Sequence, residues 1–509
     1  MTMNATAPFA RRAAVVFVWG RGWPRFGLRL AFSLLSLVLL GVFLGRAPLG
    51  LCVAVVAGSI GCLLVLLRPA VALYALAFAV PFGSVREFNL GGMTIGASQF
   101  LVLGLAVAWL LRMAAFRQMR LEWSPVTAGL LFYLGTMVVS TWVARDLIPA
   151  AKELLKWGEL LLLCLFVAGE LGQSERRALV LSLLLAGILQ GALGVYQFLH
   201  QVGPPAFGLM GRYMRAHGTF LQPNPFGGYM GLLLPLAYGM VLSLGSEALT
   251  AQRGRSLWAV LLWPLALLAS VVMLTGLVMS WSRGALLGLV FGVGLVALAM
   301  SRRVWPVVAI IALGFVLLVP SIGPATLTGL PGGLLERLTE VTQYVGISDL
   351  TAIEITDDNY AAIERLAHWD AAWRMFAGQP WLGVGTGGYA SAYPSVALPR
   401  WQDPLGHAHN YYLNVLAEGG LAGLFGYLAF VATALLVAWR GARKERGWRR
   451  GLALGALGML GHLLAHSVFD NLYVHEMYLV VGMLLGMVAS RSGGTSPLPA
   501  SERTRLQVP

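Results

Sequence analysis

Charge is what this sequence has least of. Only 11% of its 509 residues are Asp, Glu, Lys or Arg, while 58% are hydrophobic. Soluble domains carry about 25% charged residues. The shortage excludes a disordered chain, which needs low hydrophobicity and high charge, and argues against an ordinary soluble enzyme. Cysteine is also sparse. Cys52, Cys62 and Cys164 all fall in apolar segments, so there is neither a disulfide framework nor a zinc-ligand spacing. Period-two alternation is missing too, and with it the signature of a membrane β-barrel.

What the sequence has instead is long apolar runs. A helix needs about 20 residues to cross the hydrocarbon core. Segments of that kind run over 28–45, 47–67, 69–83, 98–115, 125–143, 152–170, 178–199, 225–245, 257–279, 284–300, 304–320, 411–438, 451–468 and 476–490. Two of them are short, so the expectation is an all-α polytopic bundle of about 12 to 14 transmembrane helices. Residues 1–27 read as a cytoplasmic N-terminal segment before a retained first helix. Residues 28–320 hold the first eleven helices, 321–409 form a large extracytoplasmic loop, 410–490 return to the membrane, and 491–509 form a disordered cytoplasmic tail.

The formal net charge is +14. Threading the helices from an inside N-terminus puts most of the basic residues on one side, including Arg302, Arg303 and the cluster Arg440, Arg443, Lys444, Arg446, Arg449 and Arg450. That asymmetry is the positive-inside signal, facing anionic lipid rather than nucleic acid. The long loop on the other side holds nine acids against four arginines. Within it, 358–378 has the spacing of an amphipathic helix stopped by Gly378 and Pro380.

Against that acidic face, a few basic groups stand out. Arg212, Arg215 and His217 precede the helix that begins near Asn224, where Asn is a good cap. The arginines read either as an anion site, since guanidinium binds phosphate in a fork, or as snorkelling anchors. Arg283, in Ser282-Arg283-Gly284, lies between two apolar runs and needs a partner or water. Lys152 and Lys156 sit with Glu153 and Glu159 in a local ion network, or add charge to the same site. The stretch from His407 through His409, Asn410 and Glu418 to Gly423 lies where the loop returns to the membrane. A histidine there suits a general base near neutral pH. His407 and His409 are also compatible with a metal pair, but a metal needs further ligands and none is close in sequence. The expectation is therefore no metal. His462, His466 and Asp470, at i, i+4 and i+8, share a helix face and read as a metal or proton site or, in preference, as a polar helix–helix seam. Gly284, Gly288 and Gly292 read as a packing stripe.

These residues together resemble a known family. His409-Asn410, nine residues, then Gly420-x-x-Gly423 is similar to a motif of the O-antigen ligase and polymerase superfamily. So are Arg215-x-x-Gly218-Thr-Phe-Leu-Gln-Pro-Asn224, Ser282-Arg283-Gly284, and the run from Arg365 through Trp369 to Pro380-Trp381-Leu-Gly-Val-Gly385. The order matches over roughly 125–475. The resemblance implies a bacterial inner-membrane glycosyltransferase working at the periplasmic face. It implies a glycan donor on undecaprenyl diphosphate, and a lipid A core sugar (ligase) or another lipid-linked unit (polymerase) as acceptor. No nucleotide sugar, cofactor or metal is implied. Arg215, Arg212 and Arg283, helped by Lys152 and Lys156, would stabilise the diphosphate. His409 would be the base of an inverting transfer, although His407 is a rival. Asn410 or Glu418 would orient it, with His217, Asn224 and Arg365 in support. Trp369, Trp373, Trp381 and Tyr389 would stack on sugars. A transporter is the competing reading, but the motif residues gather at one membrane face and there is no inverted repeat.

Overall fold

The computed structural model describes residues 48–83, 88–90, 93–116, 121–209, 213–249, 257–301, 350, 353–356 and 359–490, with isolated positions between 34 and 46 and at 303 and 306. The expected segments 1–27 and 491–509, all of 321–349, all of 304–320 except residue 306, and Arg212 lie outside the described residues.

The protein is helical, with fourteen α-helices among the described residues. Eight of them are long and apolar enough to cross a membrane, and the chain is a multi-pass membrane protein. It divides into two units, 1–67 and 68–509. The first holds α1 (Leu49–Leu67). The second runs through α2 (Ala70–Phe82), α3 (Ala97–Phe116), α4 (Pro125–Ser140), α5 (Leu147–Glu170), α6 (Gln173–Leu199), α7 (Pro223–Leu249), α8 (Leu257–Met279) and α9 (Arg283–Met300). After the long loop come α10 (Tyr360–Gly378), the one-turn α11 (Tyr389–Ala392), α12 (Tyr411–Lys444), α13 (Gly447–His466) and α14 (Met477–Ala489). The apolar runs thus end within a few residues of their expected limits. Two short antiparallel hairpins, Phe88–Leu90 with Met93–Ile95 and Gly208–Leu209 with Tyr213–Met214, are additions that apolar periodicity does not reveal.

Local chemistry sets the helix starts. Ser124 and Thr127 form a reciprocal capping box ahead of Pro125. Asp146 caps α5 by accepting from the Ile148 amide at 2.9 Å. Outward faces keep large apolar side chains exposed, among them Leu103, Val138, Leu261, Phe291 and Phe425, as a lipid-facing surface requires. The inward face of α13 is small instead, and packs closely on α7 and α9. A Cβ on Gly231 or Gly288 would fall within 2.5 Å of the His462 ring, and one on Gly284 would lie 2.8 Å from His466. The glycine stripe therefore makes room for two buried histidines.

α12 is broken near its start. Gly420 has φ 60° and ψ −156°, outside helical geometry. A Cβ there would lie 2.4 Å from the Trp381 carbonyl carbon, so only glycine fits. The amides freed by the kink are satisfied from the loop: Leu421 donates to the Pro380 carbonyl at 2.8 Å, and Ala422 to that of Trp381 at 3.2 Å. The Pro380–Gly385 segment and the Gly420-x-x-Gly423 motif are two halves of one junction. It ties the loop before α12 to that helix.

Candidate active site

The loops at one end of the second unit meet around His409. Residues 407–410 form the turn that starts α12, and four hydrogen bonds fix it. The His409 amide donates to His407 Nδ1 (3.1 Å) and the Ala408 amide to Asn414 Oδ1 (3.1 Å). The Leu413 amide donates to Asn410 Oδ1 (3.1 Å), and the Tyr411 amide to the Ser467 carbonyl (2.8 Å). Asn410 is thus the N-cap of α12, worth about 1 kcal/mol, and its amide oxygen is occupied in that role. Held this way, His409 adopts φ 50°, a left-handed conformation that costs a non-glycine residue about 1–2 kcal/mol. Strain of this kind gathers at functional sites.

The His409 ring faces Asp470, which the sequence placed on a seam with His462 and His466. α13 ends at His466, and the following turn carries the carboxylate out of that seam. His409 Nδ1 lies 3.6 Å from Asp470 Oδ1. That is an ion-pair distance slightly longer than a hydrogen bond, so the ring nitrogen makes no hydrogen bond in this geometry. Catalytic pairs without substrate are often this long. Burial alone would raise the Asp470 carboxyl. The His409 side chain and the charges of His407 and His466 outweigh that and hold it well below the usual carboxylate range. His462 and His466 stay in the seam, where their ring nitrogens face each other at 3.4 Å.

Two further histidines complete the cluster. The His407 and His409 rings are 4.4 Å apart, and His368 of α10 is 5.8 Å from His409. Burial pushes His407 down to about 4. His409, His368 and Lys156 add to that shift and Asp470 opposes it. Burial and His409 likewise push His368 to about 4, against Asp403. Both are neutral near pH 7. The proton of neutral His407 sits on Nε2, because its Nδ1 accepts the His409 amide. His407, His409 and Asp470 each offer one ligand atom within 4.8 Å of the others. They are one short of a closed four-ligand zinc set. The third member was invisible in the local spacing, although Asp470 is the lone acid between Glu445 and Glu476.

Arg215 and Arg283 are fixed beside the starts of α7 and α9. Arg215 Nε donates to the Ser280 carbonyl at 2.9 Å, and one terminal nitrogen to Asn224 Oδ1 at 3.0 Å. Asn224 therefore lies inside the first turn of α7 and holds Arg215 instead of capping the helix. The Ala216 amide donates to the Met279 carbonyl at 3.0 Å, so the Arg215 strand is laced to the Ser282-Arg283-Gly284 turn. Arg283 opens α9, half-buried, and its neighbour Gly284 abuts His466. The Arg365 charge also acts on His466. Arg283, Arg365 and Asp470 thus gather at the His466 end of α13, with His409 joined through Asp470 and Arg215 through the Ser280 turn.

Other expected residues have structural tasks. His217 is buried, with its amide on Gln197 Oε1 at 3.2 Å and its ring packed on Phe207. Lys156 pairs with Glu153 at 2.5 Å, yet lies close enough to act on His407. Lys152 is exposed. Glu418 does not reach for His409. Its carboxylate accepts the Gly387 amide at 3.2 Å and the Tyr389 amide at 3.3 Å, clamping the glycine-rich loop onto α12. Among the proposed aromatic platforms, Trp373 and Trp381 are exposed. Tyr389 is fully buried with its hydroxyl 2.9 Å from His368 Nδ1, so it offers no free face.

Residues 268–428 match the family model described as O-antigen ligase. No curated protein matches the chain. The matched segment runs from α8 through the kink of α12, and takes in Arg283, Arg365, His407, His409, Asn410 and Glu418. Arg215 and Asp470 lie before and after it. Over this segment the chain is similar to the O-antigen ligase family.

Proposed function

We propose that the protein transfers a glycan from undecaprenyl diphosphate to a hydroxyl of a lipid A core sugar, at the periplasmic face of the bacterial inner membrane. Its N- and C-termini are then cytoplasmic. The observation that supports this reading is the His409–Asp470 pair at 3.6 Å, after the end of α13 where Gly284, the neighbour of Arg283, meets His466.

In this mechanism His409 Nε2 takes the proton of the acceptor hydroxyl. Its Nδ1–H points to Asp470, which stabilises the imidazolium as it forms. The acceptor oxygen attacks the anomeric carbon as the bond to the diphosphate oxygen breaks on the opposite face, so the anomeric centre inverts. The leaving diphosphate gains charge, which the preorganised guanidinium of Arg215 and the half-buried Arg283 meet without reorganising. His407 cannot serve as base, because its Nδ1 lone pair is used and its Nε2 carries the proton. Its task is to hold the His409 backbone. Trp373 and Trp381 supply open aromatic faces for sugars.

The test uses purified protein, undecaprenyl-diphosphate-linked glycan and lipid A core acceptor, with EDTA present because the base mechanism needs no metal. The expected result is glycan attached to lipid A core. A ladder of lipid-linked glycan formed without that acceptor makes the protein a polymerase of the same superfamily. No transfer with either acceptor, or transfer abolished by EDTA and restored by a divalent metal, contradicts the mechanism.

A further inference from the structure

A cleft opens at the end of α13 opposite His466. It has a cavity volume of about 60 Å³ and is built from four helix ends: the starts of α6 and α13, and the finishes of α12 and α14. Arg449 lies roughly 25 Å from His466 at 1.5 Å per helical residue, so this cleft takes no part in the chemistry proposed above.

Its walls are cationic. Arg176 and Arg449 both line it, against one carboxylate, Glu445. Glu122 and Glu175 act on Arg176 through space but do not line the cleft, and Glu175 is turned to the Gly172 amide at 2.8 Å as the cap of α6. The positive dipole ends of α6 and α13 are offset by the negative ends of α12 and α14, so the two guanidinium groups carry the positive charge of the cleft. Arg176 is fixed in place: one terminal nitrogen donates to Ser490 Oγ and the other to the Ala168 carbonyl at 3.0 Å. Its buried Nε has no hydrogen-bond partner. Arg449 is half-buried and makes no ion pair or side-chain hydrogen bond among the described residues. Two guanidinium groups sharing a cleft repel each other, and an anion between them removes that cost.

The floor is apolar. Leu452, Ala453 and Met487 line the cleft and are otherwise buried. Trp448 stands at its rim, held from behind by Arg177, whose guanidinium lies 5.7 Å from the Trp448 ring and 5.3 Å from that of Trp258. A small free anion would use only the charge. A molecule with a phosphate joined to hydrocarbon uses the charge, the rim indole and the floor together.

We propose that this cleft binds the phosphate headgroup of an anionic membrane phospholipid, in the leaflet opposite the histidine site. Basic pockets between transmembrane helices suit such headgroups. The test is native mass spectrometry of the full-length protein in detergent, titrated with phosphatidylglycerol, phosphatidylcholine or inorganic phosphate. The expected result is preferential retention of phosphatidylglycerol, weakened about five-fold by Arg449→Gln, the worth of one arginine near an anionic surface. Arg449→Lys, which keeps charge but not the fork, is expected to fall between. Arg374→Gln, which removes an exposed arginine from α10, is expected to change nothing. Equal retention of the two lipids, an unaltered Arg449→Gln protein, or displacement of phosphatidylglycerol by millimolar inorganic phosphate would each overturn the proposal. Comparable melting midpoints for the variants show that binding, not folding, is being read.

Discussion

His409 Nδ1 lies 3.6 Å from Asp470 Oδ1, across the turn that joins α13 to α14. The two residues come from different helix ends, and neither is informative without the other. If the carboxylate holds the tautomer and stabilises the imidazolium, Asp470→Asn should leave donor KM nearly unchanged and lower kcat by about 10²–10⁴-fold. Steady-state transfer kinetics check this. A raised KM with normal kcat would make Asp470 a binding residue instead.

His407→Asn separates the two histidines. The Asn Oδ1 can accept the His409 amide as His407 Nδ1 does at 3.1 Å. The variant should keep transfer within about ten-fold of the parent, whereas loss of a general base removes about 10²–10⁴-fold. Comparing His407→Asn with His409→Asn in one assay shows which ring takes the proton.

The cluster also sets an acid limit on stability. The folded values of His407 and His368 are lowered to about 4 from 6.5. Between those values the unfolded chain binds more protons, so stability rises with pH. It is fully present above about pH 6.5 and is lost as pH falls toward 4. The depressed Asp470 works in the same direction at lower pH, since its contribution is present above its unfolded value and lost below it. Melting midpoints from pH 7 to 4.5 should fall, and His368→Gln should flatten the fall. A midpoint independent of pH over that range contradicts the buried neutral histidines.

Arg215→Lys tests the fork. The guanidinium donates from Nε to Ser280 and from one terminal nitrogen to Asn224, which fixes the plane of the group. Lysine cannot do both. A loss of about 10–100-fold in kcat/KM for the lipid-linked donor is expected, about 1.4–2.7 kcal/mol. An unchanged value for the donor removes Arg215 from the phosphate site.

The bundle was legible because lipid leaves the backbone few options: the apolar runs mark the helices, and α4 to α9 end close to their expected limits. The individual site residues were legible where a charge or histidine stood out against apolar sequence, as for Arg215, Arg283 and His409. Their partners were not. Asp470 sits at helical spacing from His466, and only the end of α13 at His466 turns it toward His409. Glu418 and Asn410 look like reactive groups in sequence, yet both spend their oxygens on backbone amides. Tyr389 looks like a sugar platform, but His368 of α10 claims it.

The central claim is that His409 accepts the proton of the acceptor hydroxyl. The most direct measurement is single-turnover transfer by purified His409→Ala with saturating lipid-linked donor and lipid A core acceptor. Donor binding and melting midpoint are measured on the same sample. The account predicts donor binding within a few-fold of the parent and transfer reduced at least about 10²-fold. Undiminished transfer by a folded His409→Ala protein would contradict it.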